Sequence, residues 1–376
     1  MVKSKVVKKT SKPRVLHVIA RMNVGGTAVY LSNLVTGLTD LGLENLLVIG
    51  NVPKGEVEDG VVVNLPIARI GSMSRSLNFA NDRAAKRELD AIIKTFKPDL
   101  IHSHTFKAGL LVRISNKSVP VVHTFHGHHL YDPEFGTVKR SVLNLIEKRL
   151  AVKADAIVTI GENVKKELLA VGIGKAAQYV SIAPGIDGVK LSSKVKVLKS
   201  FSLEKEKRPI VMWLGRFTQV KRPDRVVALA KKSPDLFFVM AGGGEMVDSI
   251  RRSAPSNLKV IGWQKKEDMW SIADIALCTS DSEGMPLSLI EAQLAGIPVV
   301  STNVGSVNEI VVDSVTGKLG NSDNELLAGF KWVIAARKTL VKRSALKRKI
   351  KTLAHQKFEK KTMATAHREL YRKLGV

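Results

Sequence analysis

An alternation that runs twice along the chain constrains the fold most. Short apolar runs at 15–20, 46–49, 61–63, 98–102, 119–124, 156–160 and 180–183 read as strands. Between them, 27–41, 78–96, 137–152 and 162–171 carry apolar residues at helical spacing. Strands apolar on both faces are buried on both faces, and helices between them supply parallel crossovers. The pattern predicts a doubly wound α/β sheet. It breaks at 189–207, VKLSSKVKVLKSFSLEKEK, which is polar and lysine-rich and reads as a crossing between domains. It then resumes with strands at 210–214, 236–241 and 259–261 and helices at 222–232 and 266–273. A chain of 376 residues exceeds the roughly 250–300 that one core serves. The expected units are a basic tail at 1–13, a first domain at 14–188, the crossing at 189–207, a second domain at 208–355, and a last helix at 356–376.

Composition narrows the function classes. No apolar run approaches the roughly 20 residues of a membrane span. Residues 3–14 are basic enough to begin a secretory signal, but 15–20 is too short an apolar region and no small-residue cleavage site follows. The single cysteine, Cys278, fits a reducing, cytoplasmic setting and reads as a buried small hydrophobe beside 275–277. Sixty Lys and Arg against 34 Asp and Glu give a net charge of +26. That predicts a polyanionic partner: nucleic acid, an anionic membrane face or a phosphorylated substrate. Aromatic content of 5% and the lack of a nucleic-acid motif argue against specific nucleic-acid binding. From Lys331 onward the chain reads as helical and strongly basic, with Glu359 and Glu369 as its few acids.

The chemistry concentrates at 278–300, CTSDSEGMPLSLIEAQLAGIPVV, a strand end, loop, helix and next strand. Pro286 suits the first helical position, Leu287, Ile290 and Leu294 mark the core face, and Gly296 ends the helix. The free amides of Met285, Leu287 and Ser288, beside Gly284, suit an anion such as a diphosphate. Glu283 and Glu291 flank that cradle and suit hydroxyls of a sugar and a ribose. Arg216 and Lys221 follow the strand at 210–214, where cations can meet a leaving diphosphate. Gly25-Gly26 lies in a strand–turn–helix unit that lacks the full G-x-G-x-x-G pattern. Histidines cluster at His102, His104, His123, His126, His128 and His129. A metal reading using His102, His104, His126, His128 and Asp132 or Glu134 lacks helix-spaced pairs or cysteines, so no metal is expected. Asp281-x-Glu283 is likewise not read as a metal motif, because the cations and the helix start already supply positive charge.

Glu283, seven intervening residues and Glu291, in the setting SEGMPLSLIEA, resemble the E-x7-E signature of family 4 retaining glycosyltransferases of GT-B fold. Gly215-Arg216 through Lys221 resembles the family's G-R-x4-K element, and Gly25-Gly26 its glycine loop. The resemblance covers most of 14–325 and implies two Rossmann-like domains facing across a cleft, with the last helix at 356–376 crossing back to the first. It implies transfer of a sugar from a nucleotide-diphosphate donor, UDP- or GDP-linked, to a lipid-linked or cell-envelope glycan, with no cofactor. Glu291 is then expected on the ribose, Glu283 on a sugar hydroxyl, and Arg216 and Lys221 on the diphosphate. His126 matches a family histidine near the transferred sugar, where it or a nearby carbonyl stabilises developing positive charge. His128 and His129 are candidate acceptor contacts, 103–109 resembles a cleft-lining stretch, and 262–264 is expected to border the nucleobase. Such families often carry an acid two residues after the glycine pair; Ala28 stands there instead. Two alternatives remain: a GT-B-like epimerase or phosphorylase, and a basic nucleic-acid-binding protein. The charge adds an expectation of peripheral attachment to the cytoplasmic membrane face.

Overall fold

The computed structural model describes residues 12–74, 78–115, 118–127 and 136–376. Two parallel sheets result. The first half runs β1 (Arg14–Ile19), α1 (Gly26–Asp40), β2 (Glu44–Ile49), β3 (Ile67–Arg69), α2 (Phe79–Phe96), β4 (Leu100–His104), α3 (Thr105–Ile114), β5 (Val121–Phe125), α4 (Thr137–Ala151), β6 (Ala156–Thr159), α5 (Glu162–Ala170) and β7 (Tyr179–Ser181). Its sheet order is β3-β2-β1-β4-β5-β6-β7. Alternation along β1 sends Val15 and Ile19 to a core shared with Leu31, Leu34 and Leu38 of α1. Leu16 and Val18 meet Leu89 of α2 and Leu111 of α3 on the other face. The strand expected at 61–63 is instead a short 3-10 helix, Gly60–Asn64, capped by Asp59 accepting from the Val61 amide at 3.1 Å.

The second half runs α6 (Lys194–Ser200), β8 (Ile210–Leu214), α7 (Pro223–Lys231), β9 (Phe237–Ala241), α8 (Val247–Ser253), β10 (Leu258–Val260), α9 (Lys266–Ile272), β11 (Ile275–Cys278), α10 (Leu287–Ala295), β12 (Val299–Thr302), α11 (Val307–Ile310), β13 (Gly317–Gly320), α12 (Asp323–Ala336), α13 (Leu340–Phe358) and α14 (Lys360–Lys373). Its sheet order is β10-β9-β8-β11-β12-β13. The polar stretch at 189–207 is more than a tether, since it holds α6 with Val197 buried. The chain returns to the first half beside the place where it left it: the Ile186 amide donates to Phe358 O at 2.9 Å. Beyond Glu359, α14 buries Met363, Ala364, His367, Leu370 and Tyr371, the face that packs on α1.

In each sheet the strand order reverses once, between β1 and β4 and between β8 and β11. Ligands of open parallel sheets bind beyond the carboxyl ends of strands at such points. The loops after β1 and β8 therefore mark where a site belongs.

Candidate active site

A cleft of about 490 Å³ lies between the halves and is lined by both. The first half supplies Arg21, Gly25, Gly26, Tyr30 and His126; the second supplies Arg216, Lys221, Trp263 and the run from Glu283 to Ser288. These residues come from loops at strand carboxyl ends or from helix starts.

The loop after β8 is tied to the loop after β11. Trp213 Nε1 donates to Thr279 Oγ1 at 3.1 Å, and that hydroxyl bonds Lys221 O at 2.9 Å. The Asp281 amide donates to Val220 O at 2.9 Å. Lys221 Nζ lies 2.5 Å from Glu283 Oε1, which also accepts from Ser280 Oγ at 2.6 Å. Lys221 is thus already paired with the Glu283 carboxylate. Arg216 is exposed, and its side chain makes no hydrogen bond or ion pair among the described residues. Asp281 turns to Arg222 Nη1 at 3.2 Å and lines no part of the cleft. Two glycines allow the Glu283 loop its position. Gly305 sits at φ +53°, where a Cβ would lie 1.8 Å from Glu283 O. At Gly284 a Cβ would lie 2.8 Å from His126 O, across the cleft.

Two helix starts face each other here. A Cβ on Gly26, at the start of α1, would lie 3.4 Å from Leu287, the first residue of α10. Pro286 precedes α10 as its N-cap, in extended conformation, one position earlier than its sequence suggested. The amides of Met285, Leu287 and Ser288 have no hydrogen-bond partner among the described residues. Helix starts carry partial positive charge, so both ends and both cations favour an anion between them. Glu291 lies one turn deeper, outside the cleft lining. It accepts from Lys266 Nζ at 2.8 Å and from Trp270 Nε1 at 3.2 Å. Ala28 is buried and offers the cleft nothing.

His126 follows β5, and its Nε2 lies 3.2 Å from His104 Nδ1. Burial pushes its pKa down to about 3, so the ring is neutral at pH 7. Behind it lie His17, His102, His104, His123 and His367, all fully buried. His17, His102 and His104 offer ligand atoms within 4.8 Å of one another. His102 is poorly suited to a metal, because Nδ1 bonds Tyr371 and Nε2 bonds Thr124, each at 2.6 Å. The stretch at 103–109 is mostly buried and lines none of the cleft. His128, His129, Asp132 and Glu134 lie outside the described residues.

Sequence reading missed Tyr30, Arg21, Lys266 and the Trp263 side chain. Tyr30 falls on the helical face already assigned to core, and its ring meets that of His126 edge-on at 4.6 Å. Trp263 lies in the 262–264 stretch expected to border the nucleobase, and its side chain is 63% exposed and borders the cleft. Arg21 had a legible signal, its place between β1 and Gly25.

Residues 24–188 match the family described as Glycosyltransferase Family 4, and 195–352 match Glycosyl transferases group 1. The chain is 28% identical over 273 residues to the UDP-Gal:alpha-D-GlcNAc-diphosphoundecaprenol alpha-1,3-galactosyltransferase of Escherichia coli, covering 66% of this chain and 69% of that protein. In fold it is similar to sucrose-phosphate synthase from Thermosynechococcus elongatus, with TM-score 0.82 at 18% identity over 96% of this chain and 99% of the other. It is also similar to Anabaena HepE in complex with UDP-glucose, with TM-score 0.80 at 17% identity over 96% and 99%.

Proposed function

The chain belongs to the group 1, family 4 glycosyltransferases of GT-B fold, and from that premise we propose a retaining, metal-independent transfer of a sugar from a nucleotide-diphosphate donor to a lipid-linked envelope glycan. One observation carries the donor reading: Arg216, Lys221 and the starts of α1 and α10 converge on one cleft. Such a cradle stabilises charge as it grows on a departing diphosphate. The relative with a diphosphoundecaprenol acceptor supports a lipid-linked acceptor here. Among the described residues, Glu283 is the one carboxylate lining the cleft, and Lys221 and Ser280 already hold it. With no second carboxylate, the reading is same-face substitution through an oxocarbenium-like state. The neutral His126 ring adds no charge to oppose that state. Glu291 reaches a ribose by exchanging its bonds to Lys266 and Trp270.

Two measurements test this. A thermal-shift screen of UDP-, GDP- and ADP-sugars should find a donor; a ligand at 100 times its Kd adds about 2.7 kcal/mol. With that donor and EDTA present, slow hydrolysis should release the sugar first in the donor's own anomeric form. No stabilisation by any nucleotide sugar, loss of activity to chelation, or initial inversion would each reject the proposal.

Peripheral membrane attachment belongs to the same reading. No helix among the described residues is long and apolar enough to cross a membrane. On α4, Val138, Val142 and Leu145 are 80%, 51% and 49% exposed, with Lys148 and Arg149 exposed nearby. An apolar stripe beside cations suits an anionic lipid surface. Each cation near such a surface contributes about 1 kcal/mol. The protein should float with anionic vesicles but not neutral ones, and about 0.5 M salt should release it. Equal recovery from both vesicle types would refute the electrostatic anchor.

A further inference from the structure

The buried histidines form a chain with a direction. Asn45 begins it. Its Nδ2 donates to Thr39 Oγ1 at 2.9 Å and to Leu43 O at 3.2 Å. A backbone carbonyl only accepts, so the amide cannot be reversed, and Oδ1 is the atom 3.3 Å from His17 Nε2. His17 Nε2 must therefore carry the proton. A neutral imidazole has one N–H, which leaves His17 Nδ1 as an acceptor. It lies 3.3 Å from His104 Nε2, which must in turn donate. His104 Nδ1 is then an acceptor, 3.2 Å from His126 Nε2. His126 accordingly carries its proton on Nε2. Its Nδ1 has no partner among the described residues and is not among the enclosed, orphaned atoms.

The surroundings hold this order in place. His17 and His104 are fully buried, and burial keeps both rings neutral. Backbone strain sits next to His104. β4 passes into α3 with no loop, leaving Thr105, a β-branched residue, at φ +65°. Such a conformation persists where the packing around it over-determines it.

We propose that Asn45, His17 and His104 are positioning residues that set His126 in its Nε2–H tautomer, so that Nδ1 faces the cleft as a hydrogen-bond acceptor for a sugar hydroxyl. The ligand role rests on the glycosyltransferase reading; the tautomer does not. A ring so set rejects phosphate and carbonyl oxygens, which need a donor, and accepts groups that carry a proton. The diphosphate therefore belongs to the opposite wall of the cleft, with Arg216 and Lys221.

Histidine-selective ¹⁵N labelling with long-range ¹H–¹⁵N correlation reads the tautomer without substrate. At pH 7.5 His126, assigned through a His126→Ala variant, should show a protonated Nε2 and a bare Nδ1. His17→Phe breaks the chain in its middle and should shift His126 toward the Nδ1–H form. Asn45→Leu should do the same, whereas Asn45→Asp keeps the acceptor oxygen and should restore the wild-type pattern. In turnover, His17→Phe should lower kcat about tenfold while Kd for the free nucleotide stays within about twofold. A wild-type Nδ1–H His126, an unchanged tautomer in both chain-breaking variants, or a stoichiometric zinc ion on these rings would overturn the proposal. The expected tautomers without any sugar transfer would uphold the relay and reject the glycosyltransferase reading alone.

Discussion

Acidification from pH 7 to pH 5 should remove a large part of the stability of this protein. His17, His102, His104, His123 and His367 are fully buried. Burial lowers all of their pKa values, His17 to about 3 and His367 to about 4. The sign follows from the unfolded chain, where each ring titrates near 6.5. Between that value and the depressed folded value, the unfolded state holds a proton that the folded state refuses. Stability is complete above about pH 6.5 and falls toward pH 3–4. From pH 7 to 5, His17 and His367 each cost about 2 kcal/mol, and the other buried rings act in the same direction. Domains are typically stable by only about 5–15 kcal/mol. Urea unfolding at pH 7.5, 6 and 5 measures this directly. The slope near pH 5 should correspond to more than about two protons taken up on unfolding, beyond any carboxylate contribution. Equal unfolding free energies at pH 7.5 and 5 would mean the rings are not held neutral.

The second large effect is on turnover. Lys221→Ala should lower kcat by about 10²–10³, the loss seen when one preorganised electrostatic donor is removed. Lys221 lies 2.5 Å from Glu283 Oε1, so its removal also frees the carboxylate assigned to the sugar. Glu283→Gln should lower kcat by a similar factor while barely changing affinity for the sugar-free nucleotide. Groups in direct contact do not act independently. The double variant should therefore be much less impaired than the product of the two single losses. A Lys221→Ala enzyme within a few-fold of wild type would remove Lys221 from the leaving-group site. Strict additivity would show that the pair does not act as a unit.

The two halves of the site differed in how far the sequence exposed them. Arg216, Lys221, Glu283 and the amides from Met285 to Ser288 are local features. Each sits within a few residues of a strand end, and the strand pattern predicts where such ends point. The position of Glu291 on the helix was equally legible, but its occupation by Lys266 and Trp270 was not, because α9 meets α10 only in the folded second half. The run at 61–63 shows the limit of apolar patterning. Three valines favour a strand, yet the Asp59 cap turns that segment into a 3-10 helix, and Val62 alone among them is buried.

By itself, the sequence determined two parallel α/β units, a break in the pattern near 189–207, and the cations and free helix-start amides that lie at strand ends. All of these follow from periodicity and from chemistry at strand ends, which are local properties. The tertiary structure alone decided what the histidines do. His17, His102 and His104 come from β1 and β4, and β1 and β4 pair side by side. His367 and Tyr371 arrive from α14, more than 200 residues away, where Tyr371 bonds His102 with |i−j| of 269. Spacing along the chain suggested a metal pair or scattered core rings. Only the pairing of β1 with β4 and of β4 with β5, closed over by α14, lines His17, His104 and His126 into one hydrogen-bonded chain that ends in the cleft. Its direction comes from the carbonyl of Leu43 through Asn45, because a carbonyl that can only accept leaves each following ring a single place for its proton.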